Sequence, residues 1–114
     1  MAARLSFVNT AQLAKHFHCH GTDFGCIDMH EYEKLADSFM SGSKETHVLE
    51  CTRIKGDILK YDTNSMFFGV ISSTGIVRAF SRPVPCVTLP FRLRGRACHD
   101  KATNEDYFST ECKK

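Results

Sequence analysis

Four β-compatible runs, joined by turns of only a few residues, limit the architecture of this chain more than any other feature. They are Val48 to Ile54, Ile58 to Tyr61, Met66 to Ser72 and Ile76 to Ser81. Each is rich in Val, Ile, Leu or aromatic residues, the composition of a pleated, half-buried surface. Between them stand Lys55-Gly56, Asp62-Thr63-Asn64-Ser65 and Ser73-Thr74-Gly75, all built from turn-forming residues. Connections this short cannot cross over to a parallel neighbour, so the four runs must form an antiparallel meander.

Upstream of Gly42 the period is helical. Thr10 reads as an N-cap, with Leu13, Phe17 and His20 behind it at helical spacing and Gly21 as a stop. Asp28 and Glu31 form a capping-box pattern. Tyr32, Leu35, Ala36, Phe39 and Met40 then make one buried stripe, ended by Ser41-Gly42. The expected fold is α+β: two N-terminal helices (about 11–41) packed on one face of a four-stranded antiparallel meander (about 47–82). Residues 83–100 hold three prolines and no clear period, which reads as a long loop, and 101–111 add a short last element. At 114 residues there is material for a single core, and 42% hydrophobic with 25% charged residues is globular composition. No apolar run approaches the ~18–20 residues of a membrane span. Met1 to Thr10, with one Arg and the short patch Leu5, Phe7, Val8, does not read as a signal peptide.

Charge is unevenly distributed. Residues 1–75 carry 7 Lys/Arg against 9 Asp/Glu, whereas 76–114 carry 8 against 4. Arg78, Arg82, Arg92, Arg94 and Arg96 fall within nineteen positions. Guanidinium groups present a planar bidentate fork that suits phosphate, so a nucleic-acid partner competes here with a merely solvated basic edge. The six cysteines (Cys19, Cys26, Cys51, Cys86, Cys98, Cys112) show no C-x-x-C. Their number fits three disulfides of open connectivity, while Cys51, inside an apparent strand, reads most simply as a buried free thiol.

His16, His18, Cys19 and His20 crowd one helix. His16 and His20 share a face and flank Leu13 and Phe17, at the edge of the buried stripe. His18 points away from them, toward solvent. Imidazole titrates near neutrality and moves a proton in either direction. Two such groups beside cationic side chains suffice to cleave RNA without a metal: a base takes the 2′-OH proton, that oxygen attacks phosphorus, and an acid protonates the leaving 5′ oxygen. Competing readings are satisfied half-core histidines, or zinc ligands together with Cys19, Cys26 or His30. The metalloprotease pattern is excluded, because Phe17 and not Glu follows His16.

The order of motifs is also recognisable. His16-Phe17-x-x-His20-Gly21-x-x-Phe24-Gly25 comes first, then Glu31-Tyr32-Glu33 with Ala36 and Phe39. Thr52-Arg53-x-x-Gly56-Asp57, Tyr61-Asp62, Phe68-Gly69-Val70 and Gly75-Ile76-Val77-Arg78 follow, running to Arg82-Pro83, and Thr103-Asn104-x-x-Tyr107-Phe108 closes the series. Over about residues 12–82 and 101–109 the chain resembles the small ribonuclease toxin domains at the C-termini of bacterial polymorphic toxins, including contact-dependent growth-inhibition effectors. These are grouped with the barnase, EndoU, colicin and RelE-like nuclease fold.

That resemblance implies a metal-independent endoribonuclease without a cofactor, acting on tRNA or another structured RNA in a competitor's cytoplasm after delivery. It also implies a cognate immunity protein, so the domain would be a monomer or a toxin–immunity heterodimer. His16 and His20 match the family's histidine pair, Arg53 its basic residue before the hairpin turn, Arg78 its strand arginine and Tyr107 its late aromatic hydroxyl. Lys55 contributes charge at the turn, and Arg82, Arg92, Arg94 and Arg96 are the expected RNA-binding cations. The family usually carries threonine after the strand arginine, where this chain has Ala79. Either activity is impaired or Ser81, on the same strand face, replaces the hydroxyl. Residues 84–100 are longer and richer in Arg and Cys than the family's connection, with Cys86 and Cys98 placed to close a specificity loop or to remain free thiols. Structural roles compete throughout: Arg53 and Arg78 as partners of Glu50 or Asp57, Tyr107 as a core anchor, Thr103-Asn104 as a helix cap. A non-catalytic nucleic-acid- or protein-binding module and a small zinc-binding domain are the alternative functions.

Overall fold

A computed structural model describes residues 6–42, 45–93 and 98–114. The elements are β1 (Ser6–Phe7), α1 (Thr10–His20), α2 (Met29–Ser41), β2 (Val48–Thr52), β3 (Ile58–Asp62), β4 (Phe68–Ile71), β5 (Ile76–Ser81) and α3 (Asn104–Cys112). A 3₁₀ turn, Gly21–Phe24, links α1 toward α2, and two more, Cys86–Thr88 and Phe91–Leu93, punctuate the segment after β5. The sheet is five-stranded and mixed, in the order β1-β5-β4-β3-β2.

The meander forms as the short turns require: β2–β3, β3–β4 and β4–β5 all pair antiparallel. Gly56 and Gly75 supply the positive φ values (100° and 88°) of the tight β2–β3 and β4–β5 turns. Asp62 shapes the β3–β4 turn by accepting the N–H groups of Asn64 (2.8 Å) and Ser65 (3.2 Å). Two strands are shorter than the sequence suggests. Ile54 lies outside β2 on an exposed turn, and Met66, at φ 65°, cannot join β4.

Two features correct the expected architecture. Ser6–Phe7 adds a fifth strand, parallel to β5, in the register Ser6↔Ile76 and Phe7↔Val77. A two-residue strand has no readable period, and its partner lies some seventy residues away. The two N-terminal helices share one sheet face as expected, but the last element is a third helix on the other face. α1 and α2 cover one side, where Phe7, Leu13, Tyr32, Ala36, Val77 and Phe80 form a core. α3 covers the other, where Phe108 packs with Leu59, Tyr61, Phe68 and Val70.

A β-bulge sorts β5 between these two cores. Val70 pairs with Ala79 but Ile71 pairs with Val77, leaving Arg78 as the extra residue. Val77 and Phe80 thereby face α1 and α2, while Ala79 faces α3.

The helices are locally specified. Asn9, not Thr10, caps α1, its Oδ1 accepting the Gln12 N–H at 2.8 Å. Gly21 does not stop α1 in a left-handed conformation. It continues into the 3₁₀ turn, and a Cβ there would lie 2.5 Å from the Phe17 ring. The capping box is present: Asp28 Oδ1 accepts from Glu31 N–H (2.9 Å) and Glu31 Oε2 from Ile27 N–H (2.7 Å). Thr103 caps α3 by accepting the Asp106 N–H at 3.1 Å. Lys60, buried on the α2 side of β3, donates to the carbonyls of Phe39 (3.0 Å) and Gly42 (2.6 Å), satisfying acceptors left open where α2 ends.

Two disulfides are formed. Cys51–Cys112 ties the end of α3 to β2, so Cys51 is not a free thiol, and Cys86–Cys98 closes the segment after β5. Cys19 and Cys26 are free. That segment is more ordered than a plain loop, because His99 bridges Pro85 in parallel: Cys86 N–H donates to His99 O (2.8 Å) and His99 N–H to Val84 O (3.0 Å).

Candidate active site

A cleft of 280 Å³ opens where α1, the end of β5, the disulfide-closed segment and α3 meet. His16, His20, Ser81, Arg82 and Tyr107, five of the residues singled out from sequence, line it together with His99. Ala79, the position where a threonine is expected, lies in the same wall.

The two histidines reach the cleft because α1 buries Leu13 and brings the i, i+4 pair to its edge. Their ring centroids are 6.3 Å apart. His16 stacks on Phe7 of β1 at 4.9 Å. Burial first, and then the positive neighbours His20 and Lys15, lower its pKa from the ordinary imidazole value, so the neutral ring predominates at pH 7. His20 Nδ1 lies 3.8 Å from Asp23 Oδ2. His18 is exposed, as its position on the helix implies.

Arg82 is the cleft's cation. Its Nε donates to Ser65 O (3.2 Å) and its Nη1 to Asp23 O (3.3 Å). Both partners are neutral carbonyls, and no carboxylate among the described residues lies within 4.0 Å of it. Its charge is therefore positioned without being neutralised, the condition for binding an anion.

The opposite wall belongs to α3. Tyr107 packs edge-on to Phe68 at 5.4 Å and stacks on the His99 ring at 4.5 Å. Burial, then the Glu111 carboxylate, raise its pKa against the opposing effect of Arg53, so the hydroxyl remains a donor at neutral pH. His99 is held at both nitrogens. Its Nδ1 accepts the Lys101 N–H at 3.2 Å, which places the proton on Nε2, donated to Asn104 Oδ1 at 2.8 Å. Asn104 is itself buried, and its side chain acts to lower the pKa of the Tyr61 hydroxyl against the larger upward effect of burial.

The other expected site residues lie elsewhere. Arg53 donates through Nε to Glu111 O (2.7 Å) and pairs with Glu111 Oε1 (3.2 Å) and Asp57 Oδ2 (3.5 Å). Arg78 pairs with Asp57 Oδ1 at 3.0 Å while remaining 59% exposed. Asp57 thus sits between both arginines, the structural role weighed for them above, whereas Glu50 faces Lys60 across the sheet. Lys55 is on the exposed β2–β3 turn and Arg92 on the exposed 3₁₀ turn Phe91–Leu93. Arg94 and Arg96 lie outside the described residues.

Sequence reasoning missed His99, and it read Asn104 only as part of a helix cap and not as the partner of His99. His99 falls in the stretch without period, and only its bridge to Pro85 brings it to the cleft. Among the described residues, no three His, Cys, Asp or Glu side chains converge as a metal-binding group, and no helix is long and apolar enough to cross a membrane. In comparison with known proteins, the chain matches no protein-family model and no curated protein.

Proposed function

We propose that this domain is a metal-independent endoribonuclease whose chemistry runs in the cleft between α1 and α3. The observation that carries the reading is the convergence of two histidines, one of them kept neutral, on an arginine held without a carboxylate partner. Neutral His16 takes the 2′-OH proton, the 2′ oxygen attacks the adjacent phosphorus, and His20 delivers a proton to the departing 5′ oxygen. Arg82 stabilises the charge accumulating on the phosphoryl oxygens, with the Tyr107 and Ser81 hydroxyls as further donors. The products are a 2′,3′-cyclic phosphate and a 5′-hydroxyl.

The family resemblance supports the wider reading: an effector domain delivered into competing bacteria, acting on tRNA or another structured RNA and neutralised by a cognate immunity protein. Under this reading Arg53 supports α3 and does not contact phosphate, because both its acidic partners already occupy it.

The test is incubation with total cellular RNA, with and without EDTA, followed by sequencing of the new ends. Cleavage that persists in EDTA and leaves cyclic phosphate is expected. A 5′-phosphate product, or activity abolished by EDTA and restored by zinc, overturns the mechanism.

A further inference from the structure

The cleft does not stand alone. A second cleft of 410 Å³ adjoins it through His16 and is lined by Phe7, Val8, Asn9, Gln12 and Arg78. A third, of 400 Å³, adjoins it through Arg82, Pro83 and Val84 and reaches Met66, Thr88 and Asp23. His16 and Arg82 are therefore partitions, each facing two compartments, and the compartments follow one another along β5. We infer that these clefts form a continuous track for single-stranded RNA, with the scissile phosphate in the middle compartment and one neighbouring nucleotide in each outer one. The inference rests on the ribonuclease reading and adds to it the length and strandedness of the substrate.

The chemistry of the outer compartments fits nucleosides. Each has an apolar floor (Phe7 and Val8 in one, Met66 and Val84 in the other) and polar groups beside it. Gln12 carries an amide, which presents a donor and an acceptor to a base edge, and Asn9, whose Oδ1 caps α1, adds its amide N–H donors. Asp23 and Thr88 offer acceptors on the other side. A cation stands on each side: Arg78, which shares Asp57 through Nε but is 59% exposed, in the first outer compartment, and Arg82 at the entrance to the second. Arg78 is the bulge residue of β5 and Arg82 follows its last residue, so the two are at most roughly 13 Å apart at ~3.3 Å per residue. That is the rise of about four stacked nucleotides at ~3.4 Å each, and of fewer unstacked ones. A basic path with apolar platforms on either side is how unpaired strands are held, whereas a duplex hides its base edges.

Calorimetric titration of the intact chain with uncleavable 2′-O-methyl oligoribonucleotides, from one to six nucleotides, tests this. Affinity is expected to rise at least tenfold between the mononucleotide and the tetranucleotide and then to level off, with a duplex of the same sequence binding more weakly than its single strand. Gln12→Ala, on an exposed helix surface, and Met66→Asn, which suits the left-handed backbone there, should each weaken the hexamer threefold or more relative to the dinucleotide. Affinity independent of length, or a duplex preferred over single strands, overturns the track. Because these probes lack a free 2′-OH, length-dependent binding without cleavage of unmodified RNA would leave the track standing and remove the ribonuclease reading. Cleavage without length dependence would do the reverse.

Discussion

The imidazole of His99 lies flat against the ring of Tyr107, centroids 4.5 Å apart and planes 13° from parallel, with both imidazole nitrogens already committed. His99 is thus fixed as a wall against which Tyr107 is positioned, not as a proton carrier. Tyr107→Phe keeps the stack and removes only the hydroxyl. It should lower kcat about tenfold or more, the loss of one transition-state donor, and leave the urea midpoint nearly unchanged. An equal fall in midpoint and activity would mean that Tyr107 serves only as a core anchor.

The histidine pair sets the pH dependence. His16→Ala and His20→Ala should each reduce the cleavage rate by about 10²–10⁴. Because burial lowers the His16 pKa, the acid limb of the kcat/KM profile should have its midpoint below the ordinary 6.5 and should vanish in His16→Ala. Stability has the same sign. The unfolded chain binds the proton more readily than the folded one, so the His16 contribution is fully present above 6.5 and is lost as pH falls through its lower folded value. Urea unfolding of wild type and His16→Ala between pH 5 and 8 measures it.

Ala79 and Ser81 share the cleft wall, so the hydroxyl expected at the first can be supplied by the second. Ser81→Ala should cost about tenfold in kcat if it donates to the phosphoryl group, while Ala79→Thr should change the rate less than Ser81→Ala does. A large gain from Ala79→Thr, with no loss from Ser81→Ala, would show that this chain lacks the group and is impaired.

The Cys51–Cys112 bond closes a long loop, separated by 61 residues in sequence. In the chain-entropy account it stabilises the fold by about 4 kcal/mol. Cys112→Ser, or mild reduction, should therefore lower the urea midpoint and increase hydrogen exchange in α3 before it does so in α1 or α2.

Arg53 is expected to matter for stability more than for binding. Its guanidinium is mostly buried and bonded to Asp57 and Glu111, so Arg53→Ala leaves Asp57 with Arg78 alone and Glu111 with Lys114 alone, and removes the donor to the Glu111 carbonyl. That should cost about 1–3 kcal/mol. The salt dependence of RNA binding should not change, whereas Arg82→Ala should reduce its log–log slope by close to one. A slope reduced by Arg53→Ala would place it on the phosphate backbone after all.

What was legible in the sequence was what local chemistry decides. The Tyr32, Ala36, Met40 stripe, the Asp28–Glu31 box, the Thr103 cap and the β5 boundaries all follow from neighbours a few residues apart. β1 escaped because parallel pairing with Ile76 and Val77 leaves no trace in a dipeptide. The two-sided sheet escaped because Arg78 sits in a bulge: simple alternation puts Val77 and Ala79 on one face, and the bulge puts them on opposite faces. In the cleft, the charge and helix pattern led to His16, His20 and Arg82. His99 depends on a bridge between two aperiodic stretches, and the engagement of Arg53 and Arg78 depends on where α3 and Asp57 come to lie.

The α1 and α3 walls of the cleft are remote in sequence, His16 and His20 coming from the first helix and Tyr107 from the third. No contiguous half of the domain therefore holds a complete set of groups. Truncation anywhere between residues 24 and 98 would remove one of the two walls, whereas a nick between residues 52 and 98 would leave them joined through Cys51–Cys112. On the proposed ribonuclease reading, activity requires both walls in place, and an inhibitor that kept them apart would silence it without touching either histidine.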